Sequence, residues 1–148
     1  MYSDLQNKVA IVTGGSSGIG RGIAERFTDE GVNVVITGRH EDFLKKVADD
    51  HAGINYVVAD MTKEEDTAKV VDYVKQKFGR LDILVNCAGC CPVQSIKEMT
   101  IADYNRAFDL DVKAVVDLTI KALPMILASE QAKYVTGSVF KVDGGLAV

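Results

Sequence analysis

Apolar positions along the chain follow two rhythms in alternation. Compact apolar runs at 9–12, 33–37, 55–59 and 81–85 have the length of strands, and their sparse polar content predicts strands covered on both faces. After the first run, Ile19, Ile23, Ala24 and Phe27 recur at helical spacing, as do Ala68, Val70, Val71, Val74 and Phe78 after the third. One helix is predicted to run through about Glu30 with Gly31 as its cap, a second over 41–50, and a third to stop at Gly79. Thr62-x-x-Glu65 and Thr100-x-x-Asp103 have the spacing of helix-start caps. From 101 to about 127 the pattern Tyr104, Phe108, Leu110, Val112, Val115, Val116, Leu118, Thr119, Ala122 and Leu123 predicts one long helix, apolar enough to be covered on nearly every side. Strands alternating with helices imply an α/β fold with a parallel sheet.

The first apolar run enters Gly14-Gly-Ser-Ser-Gly18-Ile-Gly20 just where the helical rhythm begins. Glycines there let the backbone turn sharply and approach a ligand, and the free N–H groups at the new helix start favour an anion. A phosphate-bearing cofactor is the natural occupant, with a plain strand-to-helix turn as the alternative. The spacing Gly-x-x-x-Gly-x-Gly differs from the Gly-x-Gly-x-x-Gly of the general dinucleotide fingerprint. The second run delivers Gly38 and Arg39 to where a doubly wound sheet places the adenosine ribose. A carboxylate there would bond the ribose hydroxyls, whereas a guanidinium can pair with a 2′-phosphate, so NADP(H) is favoured over NAD(H). The alternative is that Arg39 is a solvated loop cation.

Thr13-Gly14-x-x-x-Gly18-Ile19-Gly20, followed downstream by Asn86-Cys87-Ala88-Gly89, resembles the short-chain dehydrogenase/reductase family. The likeness covers 8 to about 127, and residues 130–148 resemble the family's last strand. It implies a Rossmann-type, doubly wound parallel sheet of about five strands, order 3-2-1-4, with the C-terminal strand either beside the fourth or added to a partner's sheet edge. Residues 1–148 are then one dinucleotide-binding domain. The cofactor positions implied are Gly14, Ser16, Ser17, Gly18, Ile19, Gly20, Arg39, Asp60, Met61, Asn86, Ala88 and Gly89. Asp60-Met61 would face the adenine, with the carboxylate accepting from the exocyclic amine; a cap at Thr62-x-x-Glu65 would leave Asp60 free for it. Asn86 would steady the sheet, and the small Ala88 and Gly89 would leave room for ribose and nicotinamide. Cys87 replaces the family's usual second asparagine and is small enough to be buried.

Composition narrows the function. The 148 residues carry a net charge of -4 with no block of Lys or Arg, which argues against nucleic acid as a partner. No apolar run has membrane-spanning length, and the N-terminus lacks a signal segment, so a cytoplasmic, soluble protein without membrane partners is expected. Cys87, Cys90 and Cys91 sit too close together for a long-range disulfide framework, and His40 and His51 are far off in sequence. Small, buried, reduced thiols are expected in preference to a metal site.

The resemblance also shows where this chain departs from an enzyme. Asp111 occupies the position of the family's catalytic asparagine, in Asp111-Val112 and on to Thr119. A carboxylate reverses part of that residue's donor role and adds charge. After the long helix the family supplies a serine-bearing strand and a helix with Tyr-x-x-x-Lys, and neither follows here. Tyr134 has Ser138 four residues on, Lys141 lies seven residues on, and no Tyr-Lys pair at helical spacing follows Ser129. The expectation is an NADP(H)-dependent oxidoreductase of alcohols or carbonyls by resemblance, with no catalytic residue assigned and turnover lost in this truncated chain. The family's use of this helix in dimer contacts implies a homo-oligomer through 101–127, because Val112, Val115, Val116, Leu118 and Leu123 cannot all be covered within one chain. The alternative is a non-enzymatic NADP-binding or dimerisation module that pairs with itself or a full-length relative. A third reading is a complete enzyme whose interior segment is missing from this sequence.

Overall fold

The computed structural model describes residue 2 and residues 4–91 and 95–128. Four strands alternate with helices: β1 (Val9–Thr13), α1 (Gly18–Asp29), β2 (Asn33–Gly38), α2 (Glu41–Asp50), β3 (Ile54–Val58), α3 (Glu64–Phe78) and β4 (Ile83–Val85). The strands form a parallel sheet of order β3-β2-β1-β4, as predicted. The C-terminal strand expected over 130–148, with Ser129, Tyr134, Ser138 and Lys141, lies outside the described residues.

Alternation along β1 divides the core. Val9 and Ile11 join Val35, Val57, Val70, Val74, Leu118 and Ala122 on one face of the sheet. Ala10 and Val12 join Val34, Ile36, Ala24, Leu44 and Val47 on the other. Because successive side chains on a strand point to opposite faces, a run with no polar member can be buried throughout only if both faces are covered. Here α1 and α2 cover one face, and α3 and the last helix cover the other.

The long helix spans the predicted 101–127 but is not regular. It consists of α4 (Ile101–Phe108), a π-helical turn (Asp109–Lys113) and α5 (Ala114–Leu127). The Thr100–Asp103 capping box forms in both directions. No α4 residue is buried, while α5 buries Ala114, Leu118 and Ala122. Cover within one chain is incomplete, as expected for this helix. Leu118 is fully covered, yet Val112, Val116, Ile120, Leu123 and Leu127 remain 43–65% exposed, because the sheet touches only one side of α5. Asp117 and Lys121 bind α5 to α3: Lys121 Nζ donates to Asp117 at 2.6 Å, to Thr67 Oγ1 at 2.8 Å and to the Glu64 carbonyl at 2.9 Å. Among the described residues no helix is long and apolar enough to cross a membrane.

Asp82 fixes the start of β4. Its carboxylate accepts from the Val9 N–H at 2.9 Å and from Arg80 at 2.6 and 2.9 Å, with Lys8 3.8 Å away. Burial pushes this carboxyl up, but the bonds from Arg80 and Val9 outweigh it and hold it below the ordinary value. A carboxyl lowered by folding adds stability that is present above its unfolded value and is lost as pH falls through its folded value. Acid titration of stability should therefore steepen below about pH 4. Asp82→Asn should flatten that limb in urea melts taken from pH 7 to pH 2; an unchanged slope would remove Asp82 from the account.

Candidate functional site

The glycine turn sits at the C-terminal ends of β1 and β2, pinned by the Gly15 N–H to the Thr37 carbonyl at 3.2 Å. Gly14 has φ +66° and Gly18 φ +53°, a region that other residues rarely adopt. A Cβ on Gly14 would lie 3.0 Å from the Ala88 Cα, and one on Gly20 would lie 2.4 Å from the Gly14 carbonyl oxygen. The glycines thus pack the turn against the segment after β4, and their reason is partly steric. Ser17 caps α1 without a side-chain hydrogen bond, and the first turn holds no acidic residue. The opening N–H groups of α1 therefore have no capping side chain, while Ile19 stands 77% exposed beside them. Ser16 lies at the other rim, its Oγ 3.5 Å from where a Gly38 Cβ would stand.

Thr13 is the residue that sequence reasoning quoted but did not assign. Its hydroxyl is buried and accepts from the N–H groups of Cys87 and Ala88, both at 2.9 Å, while facing the Val85 carbonyl at 3.5 Å. This fixes the path of 86–89 along the sheet end. Next to Thr13 in register is Thr37, fully buried, whose hydroxyl has no hydrogen-bond partner among the described residues. Asn86 Nδ2 donates to Thr119 Oγ1 at 3.3 Å, so it ties β4 to α5. Thr13, Met61, Asn86, Ala88, Leu110 and Val115 line a narrow cleft between the sheet end and α5.

Arg39 and Asp60 occupy the far side of the turn. Arg39 is exposed. Asp60 is not free as expected: its Oδ1 accepts from the Thr62 N–H at 3.0 Å and the Thr62 hydroxyl at 2.7 Å. Thr62 is thereby used as a donor, the Thr62–Glu65 capping box does not form, and α3 starts at Glu64 behind Lys63 without a side-chain cap. An aspartate bonding the N–H two residues on is a local turn that competes with the cap. The Thr62 hydroxyl, the Thr62 N–H and the nearby charge of Arg39 together hold the Asp60 carboxyl below its ordinary value, against the effect of burial.

Asp111 lies in the π-helical turn. Its Oδ1 accepts from the Cys90 N–H at 2.9 Å and stands 3.3 Å from where a Gly89 Cβ would be. Cys87 and Cys90 are half-buried and Cys91 is exposed, which corrects the expectation of three buried thiols; all three are free. The half-buried Cys90 thiol faces the Arg106 carbonyl at 3.9 Å. Among the described residues no group of three or more His, Cys, Asp or Glu gathers as a metal site would require.

A Tyr-x-x-x-Lys spacing does exist earlier in the chain, at Tyr73 and Lys77 on α3. Lys77 Nζ lies 3.2 Å from the Tyr73 hydroxyl and also bonds Asn55. Asn55 is near the start of β3, and the glycine turn is at the strands' other ends. The pair therefore faces away from the cleft.

Comparison with known proteins agrees with this architecture. A family model described as short chain dehydrogenase matches residues 8–142. An uncharacterized oxidoreductase of Staphylococcus saprophyticus is 39% identical over 129 residues, covering 84% of this chain and 55% of the relative. The NADP-dependent (R)-specific alcohol dehydrogenase of Lentilactobacillus kefiri is 37% identical over 118 residues, covering 78% and 47%. The crystal structure of 3-ketoacyl-(acyl-carrier-protein) reductase from Brucella melitensis, complexed with NADH, superposes with a TM-score of 0.78 at 36% identity, over 82% of this chain and 51% of that one. The chain thus spans about half the length of the relatives it matches. With a 3-2-1-4 parallel sheet, a glycine turn closed against the segment after β4, and matches of this extent, the chain belongs to the short chain dehydrogenase family.

Proposed function

We propose that residues 1–148 act as a single nicotinamide-dinucleotide-binding domain of an oxidoreductase, with NADP(H) preferred over NAD(H). The observation that carries this reading is the Gly14–Gly20 turn: it presents uncapped α1 N–H groups, with no acidic residue in the helix's first turn, at the carboxyl ends of the strands. The pyrophosphate would lie against Gly14, Ser16, Ser17, Gly18, Ile19 and Gly20. The adenosine half would meet Arg39, Asp60 and Met61, and the nicotinamide half Asn86, Ala88 and Gly89. The bound cofactor would supply a hydride carrier for an alcohol or carbonyl substrate. The chain's own part is to bind and orient it.

Hydride exchange with an alcohol also needs a group that handles the hydroxyl proton. Asp111 is not among the residues that line the cleft, and the Tyr73–Lys77 pair is turned away. We therefore assign no catalytic residue and expect no turnover of NADP(H) by this chain with alcohols or carbonyls. Fluorescence titration tests the binding claim. NADPH should bind more tightly than NADH, and Arg39→Asp should erase or invert the preference, since one guanidinium–phosphate pair contributes about 1 to 3 kcal/mol. Equal affinities in the unsubstituted chain would overturn the NADP reading.

The exposed stripe Val112, Val116, Ile120, Leu123 and Leu127 favours a second reading, a module that pairs through α5 with itself or a longer relative. Sedimentation showing a monomer at micromolar concentration would remove self-pairing.

A further inference from the structure

We propose that Asp111 sets which redox state of the cofactor is held, favouring the oxidised form with its cationic nicotinamide ring over the reduced, neutral ring. The inference rests on the dinucleotide reading above. Strand order places β4 on the side of β1 opposite β2. A dinucleotide whose adenosine half lies by Arg39 and Asp60, and whose pyrophosphate lies on the α1 turn, therefore extends its other half toward the segment after β4. Asp111 is the carboxylate brought to that segment, with Oδ1 2.9 Å from the Cys90 nitrogen and 3.3 Å from a Gly89 Cβ position.

Its charge is left for a ligand. The π-helical turn carries Asp111 at the rim and exposes it. Among the described residues no cation forms an ion pair with it. Arg106, one turn earlier, is bonded to Asp103 at 3.0 Å, and the charge of Lys113 acts on Asp117. Among the described residues only the Cys90 N–H donates to the Asp111 carboxylate, at Oδ1. A carboxylate so placed attracts a positive ring and does nothing for a neutral one, while the rest of the cofactor is common to both states. At a partly solvated separation of several ångströms, one unit charge discriminates by about three- to tenfold.

Equilibrium dissociation constants for NADP+ and NADPH, measured on the unsubstituted chain and on Asp111→Asn, test this. The asparagine oxygen can still accept from the Cys90 N–H, so the segment stays in place without the charge. The unsubstituted chain should show the larger ratio of NADP+ to NADPH affinity, and the ratio should fall about three- to tenfold in Asp111→Asn. Raising salt from about 10 mM to about 500 mM should shrink the ratio in the unsubstituted chain, a measurement that needs no variant to fold. Both forms binding with a ratio unchanged by Asp111→Asn, or indifferent to salt, overturns this inference and leaves the dinucleotide reading standing. Neither form binding the unsubstituted chain overturns both.

Discussion

Replacing Thr13 with valine is expected to destabilise the chain by about 2 to 3 kcal/mol, a large share of the roughly 5 to 15 kcal/mol that holds a domain together. The two side chains have nearly the same shape, so no cavity opens. What is lost is the hydroxyl that accepts the N–H groups of Cys87 and Ala88, and those donors are left without a partner at the sheet end. An unsatisfied donor shielded from water costs about 1 to 3 kcal/mol, and partial hydration of this segment keeps the pair below the full sum. Thr13→Ser keeps the oxygen and should lie close to the parent. Urea midpoints for the three chains check this, and a valine variant as stable as the serine one would refute it. The same substitution should weaken cofactor affinity, because the Ala88 backbone is one wall of the cleft.

Gly20→Ala and Gly22→Ala, two positions apart on α1, are expected to change stability in opposite directions. A Cβ on Gly20 would stand 2.4 Å from the Gly14 carbonyl oxygen and 2.9 Å from its carbon, both backbone atoms that no rotamer change can move aside. The turn must shift, at a cost of about 1 to 3 kcal/mol. A Cβ on Gly22 meets nothing within 4 Å. There alanine gains about 0.5 to 1 kcal/mol from the reduced freedom of the unfolded chain and better helix propensity. Thermal melts of the two variants should bracket the parent. If Gly20→Ala melts with the parent, the turn is looser than its contacts imply.

The sheet was legible because each strand is covered on both faces: an apolar run such as Val9 to Val12 has one reading when flanked by turn residues, and helical spacing between runs left parallel pairing as the remaining option. Helix α2 occupies the predicted 41–50, and Gly79 ends α3 with φ +68°. The π-helical turn was not legible. Asp109 to Lys113 contain no Gly or Pro, the residues that most strongly mark a break in a helix. Asp60 misled for a different reason: Thr62 had two acceptable uses, as a cap or as a donor to Asp60, and sequence spacing does not rank them. The glycine turn was legible for its conformational freedom, but the close packing of Gly14 on Ala88 joins residues far apart in sequence, as does the contact of Lys77 with Asn55.

The π-helical turn also divides the 101–127 helix into two stretches that tolerate inherited change differently. Such a turn amounts to one inserted residue, which shifts the angular phase of everything after it by about 100°. Deleting a residue upstream in α4, which buries nothing, could be absorbed by restoring a regular helix while Ala114, Leu118 and Ala122 kept their seats. Deleting one between Ala114 and Ala122 would put the buried residues on either side of it out of phase with one another. A lineage could therefore vary the length of the rim without disturbing the core, at the expense of the perch that holds Asp111.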